Sequence, residues 1–221
     1  MGDVDRIAEW TSAVHRVIEL TEPLTADQAA VLVPACPEWT VRDLLSHMIG
    51  LDADVLRGDE PDDHNNVWTQ RQVDERAGRD VPTLLAEWRE LIEPMRAWMR
   101  ENRTRPMADV VIHEQDLRGA LGIPGAHDTP GLAALRDQFA DRLAARLGDL
   151  PPIALVGEHW RWASGDDPAV VIEAGDFDLA RALLTRRSAD QLRRWTTRGD
   201  VSPYLDAFTS LGSLPTRDLS E

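Results

Sequence analysis

Thr40-Val-Arg-Asp-Leu-Leu-Ser-His47-Met-Ile-Gly-Leu-Asp-Ala-Asp-Val-Leu56 is the stretch on which the fold turns. Val41, Leu44, Leu45, Met48, Val55 and Leu56 are its apolar members, and the spacing predicts a long amphipathic helix starting at Thr40, after a turn that contains Pro37. Upstream, Val4, Ile7, Ala8, Val14, Val17 and Ile18 recur at three- and four-residue spacings and predict a first helix ending near Leu20. Thr25 followed by Gln28 has the form of a capping box for a short helix. Downstream, residues 58–79 are polar, contain Pro61 and Gly78, and read as a long loop with one short helix around Trp68 to Arg76. A further long helix is predicted from about Thr83 to Glu101, with Pro94 inside it implying a kink or a break. Another runs from about Pro106 to Leu121 and stops at Gly122 and Pro124. Four long helices, each with an apolar stripe, are what a four-helix bundle requires.

Thr129-Pro130 then opens a fifth helix, Thr as cap and Pro at the first helical position, reaching about Leu147. Residues 148–152 read as a linker. Ile153 to Gly157, Trp160 to Ala163 and Val170 to Ala174 read as short strands, followed by short helices at about Asp178 to Leu184, Ser188 to Trp195 and Val201 to Leu211. Ser188 with Gln191 forms another capping box. The expected class is α+β: a helical bundle over residues 1–150 and a small α+β domain over 151–221.

Composition narrows the function. The chain has 221 residues, 43% hydrophobic and 29% charged, an ordinary globular balance. A formal net charge of -15 opposes binding to nucleic acid or to an anionic membrane surface. One cysteine, Cys36, leaves no intrachain disulfide and no Cys-rich zinc motif. The opening MGDVDRIAEW lacks the basic start and apolar run of a signal peptide, and no apolar run is long enough to span a bilayer. The expected location is the cytoplasm. Heavy use of Ala, Arg and Asp with few Lys points to a GC-rich genome.

Chemistry concentrates on two helices. At 100° per residue, Asp109, His113 and Asp116 fall within about 60° of one another, beside the apolar stripe of Val110, Leu117 and Leu121. An acid and an imidazole at i and i+4 on a face turned toward a bundle core is one way bundles assemble metal sites, and His47 on the facing helix is the candidate third ligand. Three protein ligands with open positions is the pattern of catalytic zinc. The same spacing also fits a hydrogen-bonded core histidine whose ring an acid holds in place.

Cys36-Pro-Glu-Trp-Thr-Val-Arg-Asp-Leu-Leu-Ser-His47 resembles the P-x-W-[ST]-V-R-D-L-x-x-H stretch of the mycothiol-dependent maleylpyruvate isomerase family, a branch of the DinB-like superfamily. Asp109-Val-Val-Ile-His113-Glu-Gln-Asp116-Leu-Arg-Gly-Ala-Leu-Gly122 is similar to the family's second motif, an acid, a His four residues on, then Asp-Leu-Arg. Arg186-Arg187-Ser188-Ala-Asp-Gln191, with Gly199-Asp200 and Pro203-Tyr204-Leu205, is similar to the tails of many members. The resemblance implies a DinB-like four-helix bundle holding one divalent metal, usually zinc, through His47, Asp109 and His113, with Asp116 orienting His113. The isomerases carry Glu where this chain has Asp109, one methylene shorter. The resemblance also implies mycothiol as a low-molecular-weight thiol co-substrate, because Cys36 alone offers no suitable nucleophile.

The remaining residues have plainer expectations. Cys36 is expected to be a small buried hydrophobe. His64 and His127 lie in polar loops and are expected to be solvated, His15 on the first helix reads as surface or packing, and His159 beside Trp160 and Trp162 is expected to be structural. Arg186 and Arg187 sit at a helix-to-helix turn; Arg187 is the candidate for holding an anionic group of the cofactor or substrate, with salt bridges to the many acids as the alternative. The expected activity is a metal-dependent, mycothiol-linked transferase or isomerase acting on a small electrophilic substrate, by a monomer or homodimer. The alternatives are a non-catalytic small-ligand or regulatory binding protein on the same bundle, and a metal-dependent hydrolase.

Overall fold

The computed structural model describes residues 4–61, 65–102 and 106–220. His64 lies outside the described residues. The chain divides into two compact units, the first ending at Gly125 and the second spanning Ala126–Ser220. Each is described on its own.

In the first unit, α1 (Arg6–Thr21), α3 (Val41–Arg57), α5 (Val81–Glu101) and α6 (Pro106–Leu121) form the four-helix bundle. α1 packs on α5 and α6, and α3 packs on the same two from the other side. Two shorter helices, α2 (Ala26–Ala29) and α4 (Asn66–Asp74), lie along α3. The starts follow the sequence. Asp5 caps α1, a Thr25–Gln28 capping box opens α2, and a second box, Thr40 with Asp43, opens α3. Gly58 closes α3 in the left-handed conformation at φ 74°.

α3 is unusual in being buried on every side from Leu44 to Val55. α5 and α6 cover its bundle face, and α4 covers the rest. Its polar residues in that span must therefore find partners inside the protein. α5 runs through Pro94 as one helix, so of the kink or break expected there the break does not occur. Pro94 is exposed, so the backbone carbonyl it leaves without a donor can meet water, while Trp88, Met95 and Met99 bury the helix on both sides. The expected turn at Pro37 is instead the edge of a two-stranded antiparallel ribbon, β1 (Leu32–Val33) with β2 (Cys36–Thr40). That ribbon leads directly into α3.

The second unit begins with α7 (Pro130–Arg146), capped by Thr129. It was expected to belong with the bundle, in a domain ending at residue 150. It packs instead on α8 (Asp176–Leu183) and on the 3₁₀ helix Ser202–Phe208, and so falls within the second unit. A four-stranded sheet of order β4-β3-β5-β6 completes this unit: β3 is Ile153–Val156, β4 Arg161–Ala163, β5 Val170–Glu173 and β6 Thr196–Arg198. β3 and β5 are parallel and the outer pairs antiparallel. α9 (Ala189–Trp195) opens with the Ser188–Gln191 capping box. The chain is thus α+β with an N-terminal helical bundle. Among the described residues, no helix is long and apolar enough to cross a membrane.

Candidate metal centre

α3 and α6 face each other in the bundle, and the contact brings His47, Asp109 and His113 together. Their donor atoms lie within 4.8 Å of one another. His47 Nε2 is 3.3 Å and His113 Nε2 3.5 Å from the same oxygen, Asp109 Oδ1. The side chains are 5%, 17% and 12% exposed for His47, Asp109 and His113, so the cluster is nearly dry. The two imidazoles meet edge to face, with centroids 5.2 Å apart, and the Trp39 ring from β2 lies 5.0 Å from His47.

Each imidazole has its other nitrogen occupied. His113 Nδ1 is 2.9 Å from Asp116 Oδ2 and His47 Nδ1 is 2.7 Å from Gln72 Oε1. Both partners present oxygen, so each Nδ1 carries a proton and each Nε2, when its ring is neutral, turns a lone pair toward Asp109. Two lone pairs and a carboxylate oxygen converging in a buried space repel unless a cation sits among them. A proton or a metal ion satisfies that demand. Ligand atoms around a tetrahedral zinc ion stand about 3.3 Å apart, which matches the separations found here. The donor set of two imidazoles and one carboxylate suits a divalent metal of the zinc type.

The protonation pattern without metal follows the same logic. Burial alone would lift the Asp109 carboxyl, but the charges and hydrogen bonds of His113 and His47 pull it below the usual carboxylate range. Burial alone would depress His113; Asp109, then Asp116 and Cys36, outweigh it and raise His113 well above an ordinary imidazole. One step further along α3, Asp52 is fully buried and accepts from Trp88 Nε1 at 2.7 Å. Burial pushes its carboxyl up to about 8, the Trp88 bond opposing and the Asp109 charge adding to the rise.

Sequence reading found the three clustered residues and Asp116 but missed Gln72 and Asp52. Gln72 falls in the short helix expected around Trp68 to Arg76, but no motif there marked it as a partner of His47. Cys36, expected buried, is half-buried, and its thiol points to Asp116 Oδ2 at 3.9 Å. Arg187 belongs to the second unit, where it is 1% exposed; its guanidinium donates to Asp178 Oδ1 at 2.9 Å and to the Arg186 carbonyl at 2.8 Å. His127, expected solvated, stacks on Phe177 with centroids 3.9 Å apart. His15 is exposed, as expected of a helix surface. His159 is 89% exposed, next to Asp176.

These features define a DinB-like helical bundle whose facing helices gather two histidines and a carboxylate. Residues 10–113 match the family model described as the mycothiol maleylpyruvate isomerase N-terminal domain. The matched stretch, which is similar to that family's N-terminal domain, runs from Trp10 on α1 to His113 on α6 and includes all three clustered residues. No curated protein and no solved structure matches the chain.

Proposed function

We propose that this protein is a metal-dependent enzyme of the cytoplasm that joins a low-molecular-weight thiol, mycothiol by family, to a small electrophilic substrate, as a transferase or isomerase. The observation that carries the reading is the convergence of two Nε2 atoms on one buried carboxylate oxygen, each ring held from behind by its Nδ1. His47, Asp109 and His113 would hold a divalent ion, zinc by preference, and Asp109 reaches both histidines despite being one methylene shorter than the family's Glu. A bound divalent ion supplies Lewis acidity that lowers the pKa of a thiol, making thiolate available at neutral pH.

The chain's own residues have separate tasks. Asp116 and Gln72 keep the two rings in the tautomer that offers Nε2. Trp39 shields one side of the cluster from water. Cys36 donates toward Asp116 rather than presenting a free nucleophile, so the reactive thiol is supplied by a co-substrate.

Elemental analysis of protein purified without a histidine tag tests the reading. Near one equivalent of metal is expected in the parent protein, and none in His47→Ala or His113→Ala, with helical content preserved in both. Stoichiometric metal in either variant would remove the three-ligand assignment. Thiol-dependent consumption of an electrophile by loaded protein, absent when mycothiol is withheld, separates the thiol enzyme from a hydrolase.

A further inference from the structure

Gln72 is an uncharged residue on a short helix outside the bundle, yet it is wholly buried against His47. Its side-chain amide joins two groups of opposite demand. Oε1 faces His47 Nδ1 at 2.7 Å, while Nε2 donates to Asp54 Oδ2 at 2.8 Å. Asp54 is itself fully buried and paired with Arg57 and, at 3.5 Å, with Arg71. A carboxylate between guanidinium groups accepts and does not donate. The Gln72 NH2 must therefore face Asp54, which turns its oxygen toward His47 and requires the proton on Nδ1. The direction of every hydrogen bond in the row follows from the arginines inward.

The backbone is shaped to permit this contact. A Cβ on Gly50 would stand 2.4 Å from Gln72 Cβ and 2.9 Å from Arg76 Nη1, so only glycine lets α4 approach α3 closely enough. Glycine is unfavourable inside a helix relative to alanine, and the close approach of α4 explains its presence here. Arg76 Nη1 then donates to the Gln72 carbonyl at 3.2 Å, and the Arg76 guanidinium is tied to Glu87 on α5. α4 is thus pinned from both sides with Gln72 facing His47.

We propose that Gln72, backed by Asp54, is the positioning residue of the metal centre: it selects the Nδ1–H tautomer of His47 and so aims the Nε2 lone pair at the ion. The inference rests on the metal reading above, but the tautomer can be read without metal. It also gives the segment between α3 and α5 a task. Gln72 acts through His47 and touches no substrate.

The test uses three variants of the full chain, each examined by zinc competition titration and by ¹⁵N chemical shifts of the His47 ring in metal-free protein. Gln72→Leu is expected to weaken zinc binding about 10- to 100-fold and to leave His47 as a tautomer mixture. Gln72→Glu alone sets two carboxylates together and should weaken binding as well. Gln72→Glu combined with Asp54→Asn restores an acceptor at His47 and a donor behind it, so it should return affinity to within a few-fold of the parent. Zinc affinity unchanged in Gln72→Leu with His47 still protonated on Nδ1 would overturn the proposal, as would failure of the double variant to recover. If Gln72→Leu does not fold, the near-isosteric double variant still decides by its tautomer and affinity. Should the parent bind no zinc, the metal reading fails by itself, and the ring shifts still report whether Gln72 sets the tautomer.

Discussion

Two groups of the chain invite comparison: His47–Asp109–His113 in the bundle and Glu158–His159–Asp176 in the second unit. Both bring three ligand-type side chains within 4.8 Å. In the bundle the donors are nearly dry, and each imidazole is braced by a separate hydrogen bond. In the second unit His159 is 89% exposed, and Asp176 spends its oxygens on the backbone N–H groups of His159 at 3.2–3.3 Å and Trp160 at 3.3 Å. Gly157 packs so closely that a Cβ there would stand 1.8 Å from Asp176 Oδ1. That group fastens a turn before β4. Proximity of ligand-type residues is therefore common; what distinguishes a metal centre is burial combined with partners that leave the right lone pairs free.

The comparison can be broken most forcefully by pH. His113 is raised above an ordinary imidazole chiefly because Asp109 outweighs burial, so metal entry must displace its proton. Zinc affinity should fall about tenfold for each unit of pH below that raised value, read by competition titration. An affinity independent of pH across the neutral range would place the ion somewhere other than His113.

Asp52 sharpens the contrast on the side of burial. Its carboxyl is raised from 3.8 to about 8, so the folded state holds a proton that the unfolded chain releases. Its contribution to stability is complete below pH 3.8 and is lost as pH rises toward 8. Asp52→Asn keeps an acceptor for Trp88 and removes the ionisation. In metal-free protein it should match the parent near pH 4 and exceed it by about 4 kcal/mol at pH 7 in urea unfolding. Parallel stability curves across that range would mean that Asp52 is not the buried acid described.

The smallest effect is expected at the exposed group. Asp176→Ala removes acceptors from two backbone N–H groups and should cost about 1 kcal/mol without changing metal content. Loss of metal in that variant would reverse the roles of the two clusters.

The parts of this picture legible in the sequence are local ones. Periodicity places the long helices, capping boxes such as Thr25 with Gln28 and Ser188 with Gln191 place short ones, and the i, i+4 spacing of Asp109 and His113 puts both on one face. The rest depends on packing between distant segments. Gln72 and Asp52 carry no motif; Gly50 within an apolar helix was the available sign of a close neighbour. The allegiance of α7 was hidden for the same reason, since its cap is local and its contact with α8 is not. Pro94 does not break α5 because it faces solvent, where the carbonyl left without a donor can meet water.

The most direct test is the crystal structure of zinc-loaded protein with anomalous scattering recorded at the zinc edge. One ion held by His47, Asp109 and His113, with Gln72 and Asp116 still behind the two rings, is the result predicted. An ion at Glu158, His159 and Asp176, or no ordered ion in protein soaked with excess zinc, would contradict the account.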